Sequence, residues 1–593
     1  MYYFLYNLRK ILAFLALLAL LPAAALCQEE GLRDLDLQDV PYAWLSVLSG
    51  SAVAAPVKAA YGWFVPCEGK MACAFTESGS VLWQKPLPGQ ALPLAACDED
   101  GFSLAVLKGR RVCLLNPSGL VLWQKPLDFE PCFPPLFLRD GRIFVFGKQA
   151  AAAFGMNGIQ KWKADLEALS SKLAPVQMND GSVAVFLEAE HEGKTCALRV
   201  SPFGETLERI VFAGRVSAAA QVQDGALLCF DDGSAGLCSA GGQGAASKWA
   251  LNGLGLGSKT ILLALDGGQK AAAVSKNAAG ARAVVFDAKK GLALNAFDAD
   301  FKDDVQAVWP CPDGLFLAGE NSGVLYSFGG KKIRGVKFPP KTKKFNWNHA
   351  LFAKNGSLIF TSKNWSLVGF RVIKASPAPK RAAAKRQGLK NFYMGQSDDF
   401  YRIKAAALSS RKAALQAGNY GAAEKDYLFG SQKILEGFFD KALSQNSVGG
   451  AVIGSLGGEG LFDFSLSEEN AAIGMLGLYG SWEAAAALAR VLRVSKDESV
   501  LSSALKAVQD CGYDPDGALM DAIEALAKGA LPSQENFLTE ICASLYSVCR
   551  FMGRPALIQK GLKILASLQF PQYPNSTKEE ARKIYEKLAK LQL

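Results

Sequence analysis

The chain has 593 residues, too many for a single hydrophobic core, so two or more large domains are expected. Half of its residues are apolar and one fifth are charged, which excludes a disordered polar chain. A net charge of +10 with only two histidines, His191 and His349, argues against a histidine-built metal centre and leaves a basic surface to be explained.

Residues 1–27 read as a secretory signal peptide. Arg9 and Lys10 form a basic head, and Ile11 to Leu21 form an apolar run too short for a comfortable membrane span. Ala23, Ala24 and Ala25 supply the small residues that precede cleavage near Ala25 or Cys27. A lipoprotein would carry lipid on Cys27, but the bulk of Leu26 disfavours that processing. The expected location is therefore periplasmic or envelope-associated, with no transmembrane span after cleavage and no nucleic-acid partner. Of the thirteen cysteines none form a C-x-x-C or Cys-Cys pair, and Cys73, Cys113, Cys196 and Cys229 sit in strand-like apolar runs. They read as small buried hydrophobes rather than metal ligands.

Internal repetition is the strongest signal in the chain. Ser78 to Leu87 (SGSVLWQKPL) matches Ser118 to Leu127 (SGLVLWQKPL) at a spacing of 40 residues, and weaker copies surround Trp162, Leu207, Trp249, Gly291 and Gly330. A second series of turns, at Gly62, Gly101, Gly141, Gly181, Gly225, Gly267, Gly314 and Gly356, recurs every 39 to 47 residues. Each turn of this series begins a unit of about four short strands, the size of a propeller blade. The eighth unit lacks its last strand. Trp44 to Leu48, near the start of the chain, repeats the Trp-strand pattern and is expected to close the ring by completing that blade.

Gly turn, Trp strand and Pro-containing link together resemble the PQQ-like propeller repeat over residues 40–373. The resemblance implies an all-β propeller, eight blades being favoured over seven, with Trp44, Trp83, Trp123, Trp162 and Trp249 packing between blades. That family includes quinone-dependent alcohol dehydrogenases and a non-enzymatic propeller of the outer-membrane-protein assembly machinery.

Residues 374–390 read as a basic Pro/Ala linker, including Pro377, Pro379, Lys380 and Arg381. Residues 391–593 then take up helical periodicity and resemble HEAT-type repeats, whose helix pairs bury their apolar faces only by stacking. Helices are predicted over 398–416 and 420–443, and, after a Gly-rich break at 449–460, over 470–479, 483–492, 500–511, 518–527, 535–551, 555–568 and 578–591.

No catalytic, cofactor-binding or metal-binding set emerges. His191, in Glu188-Ala189-Glu190-His191-Glu192, reads as part of a polar loop, and His349 as structural. Gly253 to Thr260 fails as a phosphate loop because Ser258 separates Gly257 from Lys259 and no helix should follow. Asp298 to Asp304 lacks the Gly and terminal Glu of an EF-hand and reads as a solvated acidic loop. The quinone enzymes, as the resemblance implies, use calcium, a carboxylate and often a vicinal disulfide, and no Cys-Cys occurs here. One basic cluster stands out: Lys331, Lys332, Arg334, Lys337, Lys341, Lys343 and Lys344, a possible patch for an anionic partner. The expected function is thus that of a non-enzymatic scaffold binding protein partners in the cell envelope, with no cofactor. The alternatives are a PQQ/calcium-dependent oxidoreductase and a small-ligand or glycan sensor.

Overall fold

The computed structural model describes residues 34–37, 39 and 42–373, apart from 339–346 and single or paired loop positions, and residues 470–591, apart from 471, 472, 475 and 479. The segments read as a signal peptide (1–27) and a linker (374–390), the predicted helices over 398–416 and 420–443 and the Gly-rich break lie outside these residues.

Eight sheets follow one another in chain order and form an eight-bladed β-propeller. Blade 1 consists of Val57–Ala59, Gly62–Cys67, Met71–Phe75 and Val81–Pro86. Blades 2 to 6 occupy residues 91–126, 136–165, 176–211, 216–251 and 260–299, and blades 7 and 8 take strands from 307–337 and 347–371. First strands of successive blades touch, as between Val57–Ala59 and Ala91–Cys97, and so line the axis. Second strands such as Gly62–Cys67 are wholly buried, and last strands are more exposed, only Trp83 being buried in Val81–Pro86. A separate apolar core fills each gap between neighbouring blades, for example Phe64, Ala74, Trp83, Ala105 and Leu115 between blades 1 and 2. The wedge between splayed sheets is what the alternating apolar pattern buries.

The ring closes as expected. Trp44–Val47 pairs antiparallel with Ser366–Arg371, Trp44 opposite Gly369 and Val47 opposite Ser366, and becomes the outer strand of blade 8. A second junction was not anticipated: Leu35–Asp36 pairs parallel with Lys332–Lys337 and gives blade 7 a fifth strand. The repeat frame also shifts by one strand. The turns at Gly101, Gly141 and Gly181 join first to second strands, so each blade starts in the segment read as a Pro-containing link. In blade 2 that first strand is Ala91–Cys97, whose register breaks between Ala91 and Ala95 around Pro93, a residue with no N–H to give the ladder.

Beyond residue 469 the described chain is helical. Helical residues between 470 and 478 precede α1 (Trp482–Val494), α2 (Glu498–Cys511), α3 (Ala518–Gly529), α4 (Glu535–Met552), α5 (Pro555–Ser567) and α6 (Asn575–Ala589). α3 packs on α1 and α5, and α4 packs on α2 and α6, giving two layers with successive helices alternating between them. Local chemistry sets the boundaries. Ser481 accepts from the Ala484 N–H and Asp497 from the Ser499 and Val500 N–H groups, while Gly512 and Gly553 end α2 and α4 in left-handed conformation. α3 begins at Ala518 as predicted, with Gly517 at its N-cap, and the buried Asp514 carboxylate accepts from the Leu519 and Met520 N–H groups of its first turn.

Candidate interaction surfaces

The recurring tryptophans each reach into the next blade. Trp83 donates its indole N–H to Pro117 O (2.9 Å), Trp123 to Met156 O (2.7 Å), Trp162 to Pro202 O (2.8 Å) and Trp249 to Ala288 O (3.2 Å). Each of these rings also lies on the glycine of the turn it bonds, at Gly119, Gly158, Gly204 and Gly291, and Trp44 lies on Gly79 of blade 1. At Gly119 the requirement is double: φ is +80°, and a β-carbon would sit 2.6 Å from the Trp83 ring. In blade 7 Arg334 stands opposite Leu325, where Trp83 stands opposite Ala74 in blade 1, and donates to Val372 O of blade 8.

The helical array stands on blades 2 and 3 by one edge. The α2–α3 and α4–α5 connections and the segment before α1 meet the turns of those blades. Asn116 donates to Arg550 O (2.8 Å), and Asn157 and Lys161 donate to Leu478 O (2.9 and 3.2 Å). Arg554 pairs with Asp100 at 2.6 Å, and the Tyr513 hydroxyl reaches the other oxygen of that carboxylate at 3.2 Å. Phe102 packs edge-on to Tyr513 and against Phe551. One apolar core runs unbroken from the gap between blades 2 and 3 into all six helices, through Phe102, Met156, Leu488, Val508, Tyr513, Ile541 and Leu565. Asp98, Cys97, Tyr61 and Ser103 cluster behind the docking turn. Burial, reinforced by the Asp100 charge, pushes the Asp98 carboxyl up to about 7, and burial pushes the Cys97 thiol up to about 12.

The sequence-predicted basic cluster is divided by the structure. Lys332 pairs with Asp34 and Lys337 with Asp36, both at 2.9 Å, across the parallel junction at blade 7. Hydrogen bonding to Lys332 lowers the pKa of Asp34. Arg334 is partly buried at the blade 7–8 gap, Lys331 sits in the turn just before the strand Lys332–Lys337, and Lys341, Lys343 and Lys344 lie outside the described residues.

A second basic surface, not singled out in the sequence, lies on the helical array. α3 and α5 enclose a groove of about 590 Å³, lined by Glu524, Ala527, Lys528, Ala556, Gln559, Lys560, Lys563, Ile564 and Ser567. Glu524 pairs with Lys528 and Lys560, both at 2.7 Å, which holds its carboxyl down at about 2. Helical spacing of Lys528 with Glu524, and of Lys560 with Lys563, was the available signal, but their juxtaposition across 32 residues was not.

The chemical candidates do not converge. His191 is exposed in a hairpin, its Nε2 4.0 Å from Glu192. His349 lies in the first strand of blade 8. Asp298 pairs with Arg282, Asp304 with Lys276, and Asp303 accepts from Ser322. Gly253 to Thr260 links blade 5 to blade 6 and runs into a strand, Thr260–Leu265. Among the described residues no three His, Cys, Asp or Glu side chains gather as metal ligands, and no helix is long and apolar enough to cross a membrane. Cys73, Cys113, Cys196 and Cys229 are buried within strands.

No protein-family model matches the chain, and no curated protein matches it. Among solved structures, BamB from Moraxella catarrhalis is 12% identical with a TM-score of 0.41, over 56% of this chain and 99% of its own. Sqt1 from Saccharomyces cerevisiae is 10% identical with a TM-score of 0.41, over 57% and 98%. The WD40 domain of Neurospora crassa Pan2 is 11% identical with a TM-score of 0.34, over 58% and 100%. The class is therefore set by the strand order itself: an eight-bladed β-propeller carrying a docked helical array.

Proposed function

We propose that the protein is an exported, non-enzymatic scaffold of the cell envelope that binds protein partners, with a propeller of PQQ-like type and a HEAT-like helical array. One observation carries this reading. The array is joined to blades 2 and 3 through a continuous core, so two different binding surfaces are held at one relative position. The signal-like pattern of Arg9, Lys10 and Ile11 to Leu21 supports export, and the Trp–Gly repeat supports the PQQ-like type.

The test is affinity capture from the cell envelope with the full chain and with a chain ending near Ala375. The reading expects partners that need the array as well as the propeller. Retention of every partner by the propeller alone would remove the array from the function. Stoichiometric binding of PQQ with calcium, read by absorbance and binding heat, would replace the scaffold with an oxidoreductase.

A further inference from the structure

We infer that the groove between α3 and α5 is a docking site for an acidic, apolar-anchored peptide segment of a protein partner; this rests on the scaffold reading and specifies its partner. The groove floor is apolar at the buried Ala527 and Ile564, with the exposed Ala556 at one end, and its rim carries Lys528, Lys560 and Lys563. Three lysines against the single carboxylate of Glu524 leave the lining with a net charge of +2, or +1 once Asp521, the further partner of Lys560, is counted. Glu524 is already shared between Lys528 and Lys560, and Lys560 also reaches Asp521. No ion pair or hydrogen bond engages the Lys563 ammonium among the described residues.

Length favours a peptide over a compact ligand. From Ala556 to Ser567 the groove follows twelve residues of α5, about 16 Å at the rise of an α-helix. That length accommodates roughly five residues of extended chain. Its floor and rim ask for apolar side chains on one face of that segment and carboxylates on the other. The propeller contacts come from Tyr513 and Arg554, just before α3 and α5, and from Arg550 in the last turn of α4, whereas Lys528 and Ser567 lie at the far ends of α3 and α5; among the described residues no blade residue lines the groove.

The probe is a fluorescein-labelled hexapeptide of glutamate and leucine, titrated by anisotropy against the full-length chain, with a lysine/leucine peptide as control. The expected result is saturable binding of the acidic peptide alone, weakened by salt and reduced at least tenfold in K528E/K563E with an unchanged melting temperature. The milder K563Q keeps the test valid should the double variant fold poorly, and a several-fold loss is expected. Equal binding by wild type and variants, equal binding of the basic peptide, or no binding overturns the site. If K528E/K563E still captures every envelope partner of the wild type, the groove proposal fails while the scaffold stands; if the wild type captures none, the scaffold fails.

Discussion

Gly119 shows how a single atom governs the fit between blades. Its Cα rests on the Trp83 ring at a φ of +80°, so Gly119→Ala adds both a clash and a strained backbone. The expected loss is about 2–4 kcal/mol, the sum of overpacking and positive-φ costs. Urea unfolding of G119A, W83A and the double variant checks this, since removing the ring should recover the clash portion and leave only the backbone cost. Asp98 makes a pH prediction. Its folded-state pKa of about 7 lies above the unfolded value of 3.8, so the folded protein holds the proton more tightly. This contribution is fully present below pH 4 and is lost as pH rises to about 7. In D98N the part of the stability curve that falls between those limits should flatten; an unchanged slope assigns the dependence elsewhere. The tryptophans were legible in the sequence because the repeat marks them, whereas the carbonyls they bond were not, since those lie in the following unit.

Among the elements, the N-terminal clasp divides into a strong half and a weak half. Trp44–Val47 completes a blade and brings Trp44 onto Gly79 and Gly369. Trp44→Ala is expected to cost about 2–4 kcal/mol, somewhat below a fully buried ring because Trp44 is only partly buried. Leu35–Asp36 is held by a two-residue ladder and by exposed ion pairs with Lys332 and Lys337. D34N/D36N should therefore cost less than about 1 kcal/mol and lose its effect in high salt. Thermal melts of both variants at low and high salt separate the two halves. The strong half could be read from the sequence because it repeats the Trp-strand pattern. The weak half could not: two residues in a parallel pairing carry no alternation, and their partners lie some 300 positions away. The helices from α1 onward were placed to within three residues because caps such as Asp497 and end-glycines such as Gly512 mark their limits.

For the whole molecule, the propeller and the array share one core, which no pattern within either domain encodes. Tyr513 and Phe551 flank the glycines that end α2 and α4, a hint of contact beyond the array but not of its place. Asp100 and Arg554 join the domains in a partly buried ion pair, so removing either side chain takes a charge-assisted contact out of the junction. R554A is expected to lose about 1–3 kcal/mol, read as an earlier unfolding of the helical signal in circular dichroism. The central claim, that the array is seated on blades 2 and 3, has a direct test in a cross-link. A β-carbon at Gly553 would lie 2.7 Å from Asn116 Cγ, one bond from the Asn116 β-carbon, so cysteines at 116 and 553 stand close enough to be bridged. Mild oxidation of the folded N116C/G553C protein should yield the 116–553 linked peptide by mass spectrometry, and N116C/G529C should not. A folded N116C/G553C that stays unlinked, or that links no better than the Gly529 control, would contradict the docked arrangement.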